Sequence, residues 1–202
     1  MGPDMSYAIN VLSRKQLEPT EADWIAVKRT FRYSKAMREL GLVYKGEKND
    51  LELFTDSSFA DCEGSPSTSG YIIKLFGDTI AWRSHKQNFV AMSTCEAEFV
   101  SMSEGVMELM AVHKVIEFIL DESFCPIRVW CDNKAAVDCV SLAQPLKIRH
   151  CLAKNADYVK HAENENKIKV KWLPSASQLA DIMTKALPNK THILLRDQIL
   201  NT

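Results

Sequence analysis

The chain predicts an α/β fold: a five-stranded mixed sheet with helices on its faces and a helical N-terminal extension. Three observations point there. From Leu51 onward, short apolar runs appear, two of them joined by a tight-turn signal. A long stretch of 3.6-residue periodicity follows, Phe99-Met102-Val106-Leu109-Met110-Ile116-Leu120. After it, apolar runs alternate with helical stretches. Adjacent antiparallel strands followed by helix-linked strands give a mixed sheet, and its apolar faces require helices to cover them.

The elements read as follows. In the first segment, Pro19-Thr20-Glu21-Ala22-Asp23 is a helix start, with Thr20 as cap and Asp23 three residues on. Trp24, Val27 and Phe31 make an apolar stripe and Lys28, Arg32 and Lys35 a basic one, with an end expected near Gly41 or Gly46. Leu51 to Asp56 reads as a strand. Gly70 to Phe76 and Thr79 to Ser84 flank Gly77-Asp78 and read as a hairpin. A long helix starts near Ser93, with Gly105 as a point where it bends or splits. Ile127 to Asp132 is a strand, Lys134 to Ser141 a helix, Lys147 to Ala162 a polar helical region, and Ile168 to Trp172 an alternating strand. Ser175-Ala176-Ser177-Gln178 resembles a capping box opening a last helix that stops at Leu187-Pro188.

At 202 residues, 46% of them hydrophobic, the chain holds one ordinary domain plus an extension. No run of about 18 apolar residues is present, and the N-terminus lacks the pattern of a secretion signal. The six cysteines show neither a CxxC pair nor zinc-like spacing with histidine, so reduced thiols are expected, in the cytoplasm or nucleus rather than outside the cell. The net charge of -1 neither demands nor excludes a nucleic-acid partner.

Four acids stand in distinctive settings. Asp56 ends the first strand and is followed by the small residues Ser57-Ser58. In Ser93-Thr94-Cys95-Glu96-Ala97-Glu98, Glu96 has a capping task available toward Ser93, which leaves Glu98 for chemistry. Asp132 ends the second apolar strand, where such sheets place ligand-binding groups, although Asp132 or Asn133 also suits the N-cap of the next helix. Asp181 lies one or two turns into the last helix, where a solvated surface aspartate is the plain alternative. Asp61, Asp138 and Asp157 have no comparable setting. If acids from segments this distant converge, something must neutralise them, and divalent cations held by oxygen are the usual means.

Taken together and in order, several blocks resemble the ribonuclease H domain of the reverse transcriptase polyprotein of copia-type (Pseudoviridae) retrotransposons, with the segment that precedes it. They are Ser67-Thr68-Ser69-Gly70-Tyr71, Ser93-Thr94-Cys95-Glu96-Ala97-Glu98-Phe99, Trp130-Cys131-Asp132-Asn133 and Gln178-Leu179-Ala180-Asp181-Ile182-Met183-Thr184-Lys185-Ala186-Leu187. Ser6-Tyr7-Ala8, Pro19-Thr20-Glu21, Trp24 to Arg29 and Gly41 to Tyr44 resemble the link to the polymerase. The resemblance implies a ribonuclease H-like fold over residues 49–190, a helical connection over 1–48 and a C-terminal tail over 191–202. It places the catalytic and metal-binding acids on Asp56, Glu98, Asp132 and Asp181.

By the same resemblance the chain is expected to cut the RNA strand of RNA–DNA hybrids using two Mg²⁺ ions about 4 Å apart, with Mn²⁺ as substitute. Glu98 and Asp132 would help recognise the ribose 2′-OH, and Asp181 would be the most mobile ligand. Ser57, Asn133, Arg83, Lys86, Lys147, Arg149 and His150 are the expected substrate contacts. The polymerase domain of the same polyprotein is the expected partner, inside a virus-like particle in the cytoplasm or in the nucleus. Departures from the family pattern are Ser58-Phe59 after the first acid, Ser65-Pro66 where basic residues are usual, and Cys151-Leu152 after His150. The loop Leu173 to Ser177 also lacks a histidine, leaving His150 or His85 as substitutes. Two rival readings are a catalytically inert, domesticated domain that binds protein or nucleic acid, and a DNA-strand-transfer nuclease on the same fold.

Overall fold

In the computed structural model, which describes residues 2–141 and 150–202 (150–153 by backbone only), the sheet has the order β3-β2-β1-β4-β5. β1 (Leu51–Ser58) pairs antiparallel with β2 (Thr68–Leu75) and parallel with β4 (Ile127–Cys131). β3 (Asp78–Lys86) and β5 (Ile168–Trp172) form the edges, β3 antiparallel to β2 and β5 parallel to β4. Every residue of β1 from Leu51 to Asp56 is buried, as expected of a central strand covered on both faces.

Strand alternation divides the core. Leu51, Leu53, Tyr71, Ile73, Ile127 and Val129 join the long helix α3 (Thr94–Leu120), α4 (Lys134–Ser141) and α5 (His150–Asn164) in one cluster. On the opposite face, Phe54 and Ile72 meet Ile182 and Met183 of α6 (Asp181–Thr184) and Leu195 and Ile199 of α7 (Asn189–Leu200). Residues 191–202, expected as a tail, therefore lie almost wholly in a helix with Leu195, Ile199 and Leu200 buried. That helix is tied in by Thr79 Oγ1 donating to the Ile199 carbonyl (2.8 Å) and Lys74 Nζ to that of Gln198 (2.9 Å).

At the N-terminal end are α1 (Ser6–Ser13) and α2 (Glu21–Ala36). The Thr20–Asp23 capping box forms as expected. The apolar stripe of α2 is not buried: Trp24 is 55% and Phe31 72% exposed. The helix also stops at Ala36, before either glycine. Beyond it the backbone is recruited elsewhere. Val43 N–H donates to the Leu200 carbonyl (2.9 Å), and the amides of Lys45 and Gly46 donate to the Asp78 carboxylate (2.8 and 2.9 Å). α1 docks on the sheet, with Asn10 Nδ2 donating to Ser84 Oγ (2.9 Å) and Arg14 to Thr68 Oγ1 (3.1 Å).

Local chemistry adjusts three further expectations. The hairpin turns at Phe76-Gly77, one residue early, where both φ angles are positive as a type I′ turn requires. Asp78 is thereby released into β3. α3 is unbroken at Gly105, which instead lets the helix approach β1. A Cβ there would lie 2.9 Å from Thr55 Cγ2 and 3.2 Å from Leu53 Cδ1. The expected capping box at Ser175 is a 3-10 turn, and the helix begins only at Asp181. Gln178 is buried instead, donating to the Thr55 carbonyl (2.9 Å) and accepting from Ala180 N–H (3.2 Å).

Candidate active site

The parallel pairing of β1 and β4 sets the site. Phe54 pairs with Trp130, so two residues further along each strand Asp56 and Asp132 stand side by side at the carboxyl ends. Both share the face of Phe54, toward α6, and Asp181 is the first residue of that helix. Oxygens of Asp56, Asp132 and Asp181 lie within 4.8 Å of one another. The opposite parity carries Thr55, Ser57 and Cys131 toward α3, from whose first turns Glu98 descends. Ser57 donates to Glu98 Oε1 through both its amide (3.2 Å) and its hydroxyl (2.9 Å). Glu98, Cys131 and Asp132 form a second group with ligand atoms within 4.8 Å, so Asp132 bridges the two faces.

Competition for caps is resolved by geometry. Asn133 Oδ1 accepts the Ala136 amide (3.1 Å) and caps α4, leaving the Asp132 carboxylate to Ser175 Oγ (2.7 Å). Ser93 caps α3 by accepting the Glu96 amide (3.1 Å), while Glu96 reaches back one residue further than expected, to the Met92 amide (2.7 Å). Glu98 is left pointing at the sheet.

Burial raises three of these acids, Asp56, Glu98 and Asp181. Burial pushes Asp56 up to about 7, with Lys185 pulling it back and Asp181 adding to the rise. Burial, then the Asp56 charge, holds Glu98 well above the usual carboxylate range. Asp181 is raised for the same reason, burial, against the pull of Lys185. Burial and Glu98 also push the Cys131 thiol up, which disfavours its thiolate and leaves the carboxyl oxygens as the donors. Such an all-oxygen set suits a hard divalent cation and not zinc.

Three residues outside the expected set complete the surroundings. Thr184 Oγ1 donates to Asp56 Oδ2. Lys185 Nζ lies 3.4 Å from the same oxygen and 2.9 Å from Asp181 Oδ1. Gly70, opposite Asp56 on β2, is the floor on which α6 rests: a Cβ there would stand 2.5 Å from Met183 Cβ and 2.7 Å from Thr184 Cγ2. The i, i+4 spacing of Asp181 and Lys185 was the available signal for the lysine.

Other expected contacts fall elsewhere. Arg83 and Lys86 sit on edge strand β3, two strands from Asp56, with Lys86 Nζ donating to the Glu63 carbonyl (3.4 Å). Arg83 shares the α3 face with Tyr71, its register partner. His85 pairs with Glu104 on α3 (2.9 Å) and does not join the acids. Lys147 and Arg149 lie outside the described residues; His150 opens α5, and its side chain is also outside them. No cysteine among the described residues is in a disulfide, and no described helix is long and apolar enough to cross a membrane.

Two curated relatives resemble nearly the whole chain. The Retrovirus-related Pol polyprotein from transposon RE2 of Arabidopsis thaliana is 31% identical over 188 residues, 92% of this chain and 13% of that protein. The one from transposon TNT 1-94 of Nicotiana tabacum is 27% identical over 203 residues, 98% of this chain and 15% of that protein. The chain thus spans about a seventh of these relatives. Among solved structures, the N-terminal RNase H domain of a Mycobacterium tuberculosis protein aligns with a TM-score of 0.52 at 15% identity, covering 73% of this chain and 96% of that one. An RNase H1 isolated from compost aligns with a TM-score of 0.52 at 16% identity, covering 67% and 93%. The chain belongs with the ribonuclease H segments of copia-type Pol polyproteins. No protein-family model matches it. In this segment the sheet, α3 and α6 supply the four acids, and α1, α2 and the stretch to β1 precede the sheet in the chain.

Proposed function

We propose that this segment is a divalent-metal-dependent endoribonuclease that hydrolyses the RNA strand of RNA–DNA hybrids during retrotransposon reverse transcription. The observation that carries this reading is the convergence of Asp56, Glu98, Asp132 and Asp181, from four separate segments, on the carboxyl ends of β1 and β4. Two overlapping sets of carboxylates sharing Asp132, Asp56–Asp132–Asp181 and Glu98–Asp132 with the Cys131 thiol beside it, would suit a pair of Mg²⁺ ions, with Mn²⁺ as substitute. The chemistry such ions supply when bound is activation of the attacking water and stabilisation of the leaving 3′ oxygen. Asp56 and Asp181, on the α6 face, would hold one ion, Glu98 the other, and Asp132 both.

The chain's own residues do the positioning. Ser57 fixes Glu98 through two hydrogen bonds, and Ser175 orients Asp132. Glu98 and Asp132 flank the space where a ribose 2′-OH would be read. Raised carboxyl pKa values mean that protons must leave the site as cations enter. The grip on the hybrid is assigned to the polymerase part of the longer polyprotein, consistent with the net charge of -1. In that setting residues 1–48 form the connection, the nuclease runs from 49 through α7, and the location is the cytoplasmic particle or the nucleus.

The test is cleavage of an end-labelled RNA–DNA hybrid with Mg²⁺ or Mn²⁺, beside Asp132→Asn. Cutting of the RNA strand only, lost in the variant, supports the proposal. A folded protein that leaves the hybrid intact, both alone and joined to its polymerase, would refute it.

A further inference from the structure

We propose that Lys185 is a built-in counter-cation: its ammonium holds Asp56 and Asp181 together while no metal ion is bound, and it must yield that position when a divalent cation takes the carboxylates. The inference rests on the reading of Asp56 and Asp181 as cation ligands. Lys185 Nζ is 2.9 Å from Asp181 Oδ1 and 3.4 Å from Asp56 Oδ2, so one ammonium spans two of the proposed ligands. Asp56 is 2% exposed and cannot be neutralised by solvent. Among the described residues no other lysine or arginine is paired with it.

A surface i, i+4 pair that merely supports a helix would look different. α6 has only four residues and ends at Thr184, so Lys185 already has extended backbone, φ -147° and ψ 155°. Its side chain turns back over the helix and crosses to β1, a segment far away in sequence. Burial disfavours the ammonium there, and the charge of Asp56 and then of Asp181 outweighs that penalty and keeps it firmly protonated. Lys185 is nevertheless 38% exposed, which leaves it a path to swing toward solvent. The arrangement makes lysine and metal competitors for the same oxygens. Mutually exclusive binding of this kind couples the two equilibria, typically by about 5- to 150-fold in affinity.

The test compares wild type, Lys185→Gln and Lys185→Arg in two measurements at fixed pH and ionic strength: melting in EDTA, and Mn²⁺ binding by titration calorimetry without nucleic acid. K185Q should melt lower in EDTA yet bind Mn²⁺ at least about 5-fold tighter than wild type, and K185R should restore wild-type behaviour in both. Mn²⁺ binding by K185Q alone also supports the proposal. Should K185Q fail to fold in EDTA, folding on addition of Mn²⁺ supports the proposal and failure to fold overturns it. Equal or weaker Mn²⁺ binding by folded K185Q, beside a wild type whose binding is lost in Asp132→Asn, overturns this inference alone. Absence of Mn²⁺ binding in both wild type and K185Q overturns it together with the metal-site reading.

Discussion

Gly70 offers the sharpest test of how the site is held. It lies in β2 opposite Asp56, and its φ is not in the left-handed region, so alanine suits its backbone and the objection is steric alone. A Cβ would meet Met183 Cβ at 2.5 Å, Thr184 Cγ2 at 2.7 Å and the Met183 carbonyl carbon at 3.3 Å. Carbon atoms in contact prefer about 3.5–4.0 Å, so the two closest contacts fall short by roughly 1 Å. None of these atoms is the end of a flexible side chain, and relief requires α6 to lift off the sheet. That movement carries Asp181, Thr184 and Lys185 away from Asp56. Overpacking of this size costs about 1–3 kcal/mol of stability, and a 1 Å misplacement of positioning groups costs on the order of 100-fold in rate. Gly70→Ala should therefore melt lower and cut the hybrid about 100-fold more slowly, whereas Gly41→Ala, with nothing within 4 Å of its Cβ, should do neither. G70A with wild-type melting and a rate within a few-fold of wild type would refute the reasoning.

Other perturbations test the same construction. Gln178→Leu leaves the buried Thr55 carbonyl and Ala180 amide without side-chain partners and should cost about 1–3 kcal/mol in a denaturant titration. In the metal-free protein, the raised pKa values of Asp56 and Glu98 mean that the folded state keeps protons that the unfolded chain has already lost. Their contribution therefore diminishes stability as pH rises from about 4, the ordinary carboxyl value, through about 7 for Asp56. Melting in EDTA should fall across that window relative to Asp56→Asn, and Mg²⁺ should reverse the fall; a wild-type curve parallel to that of D56N would contradict this. Leu53→Ala, emptying a fully buried position between β1 and α3, should cost about 2–5 kcal/mol by denaturant titration.

What the sequence made legible follows the range of the interactions involved. Strand identity and order came from alternation and turn chemistry, and all five strands lie where those signals placed them, with the hairpin off by one because Phe76 accepts a positive φ. Glu98 was separated from Glu96 by a local capping argument, which the structure bears out with Met92 in place of Ser93 as partner. Caps and turns are decided within a few residues, so one sequence suffices to read them. The burial of α7, the exposure of Trp24 and Phe31, and the halt of α2 at Ala36 depend on partners remote in sequence. Nothing in residues 36–46 announces that Val43 will bond the end of α7 or that Asp78 will collect two amides. Gly105 reads as a break in the helix and Gly70 as the start of a strand, yet both mark places where a helix comes close to the sheet.

The same parity rule that builds the core explains why four acids can share one site without unfolding the metal-free chain. Alternation sends Asp56 and Asp132 to the α6 face and Ser57 and Cys131 to the α3 face, so the charges do not all crowd into one layer. Each face then carries its own neutralising device. On the α3 face, Glu98 is held by two Ser57 donors, and burial and the Asp56 charge raise its carboxyl above the usual range. On the α6 face, burial raises Asp56 to about 7, and the Lys185 ammonium and the Thr184 hydroxyl stand against its carboxylate. The two devices differ in kind, paired Ser57 donors on a raised carboxyl on one side and an ammonium on the other, and a cation entering the α6 side must displace the ammonium. Metal affinity should then weaken on both faces as pH falls, while that on the α6 face depends also on residue 185. Measuring Mn²⁺ binding against pH in wild type and in K185Q separates the two: the variant should bind tighter than wild type at every pH, while binding by both weakens as pH falls. A variant that bound no tighter than wild type at any pH would show that the ammonium does not compete for the α6-face oxygens.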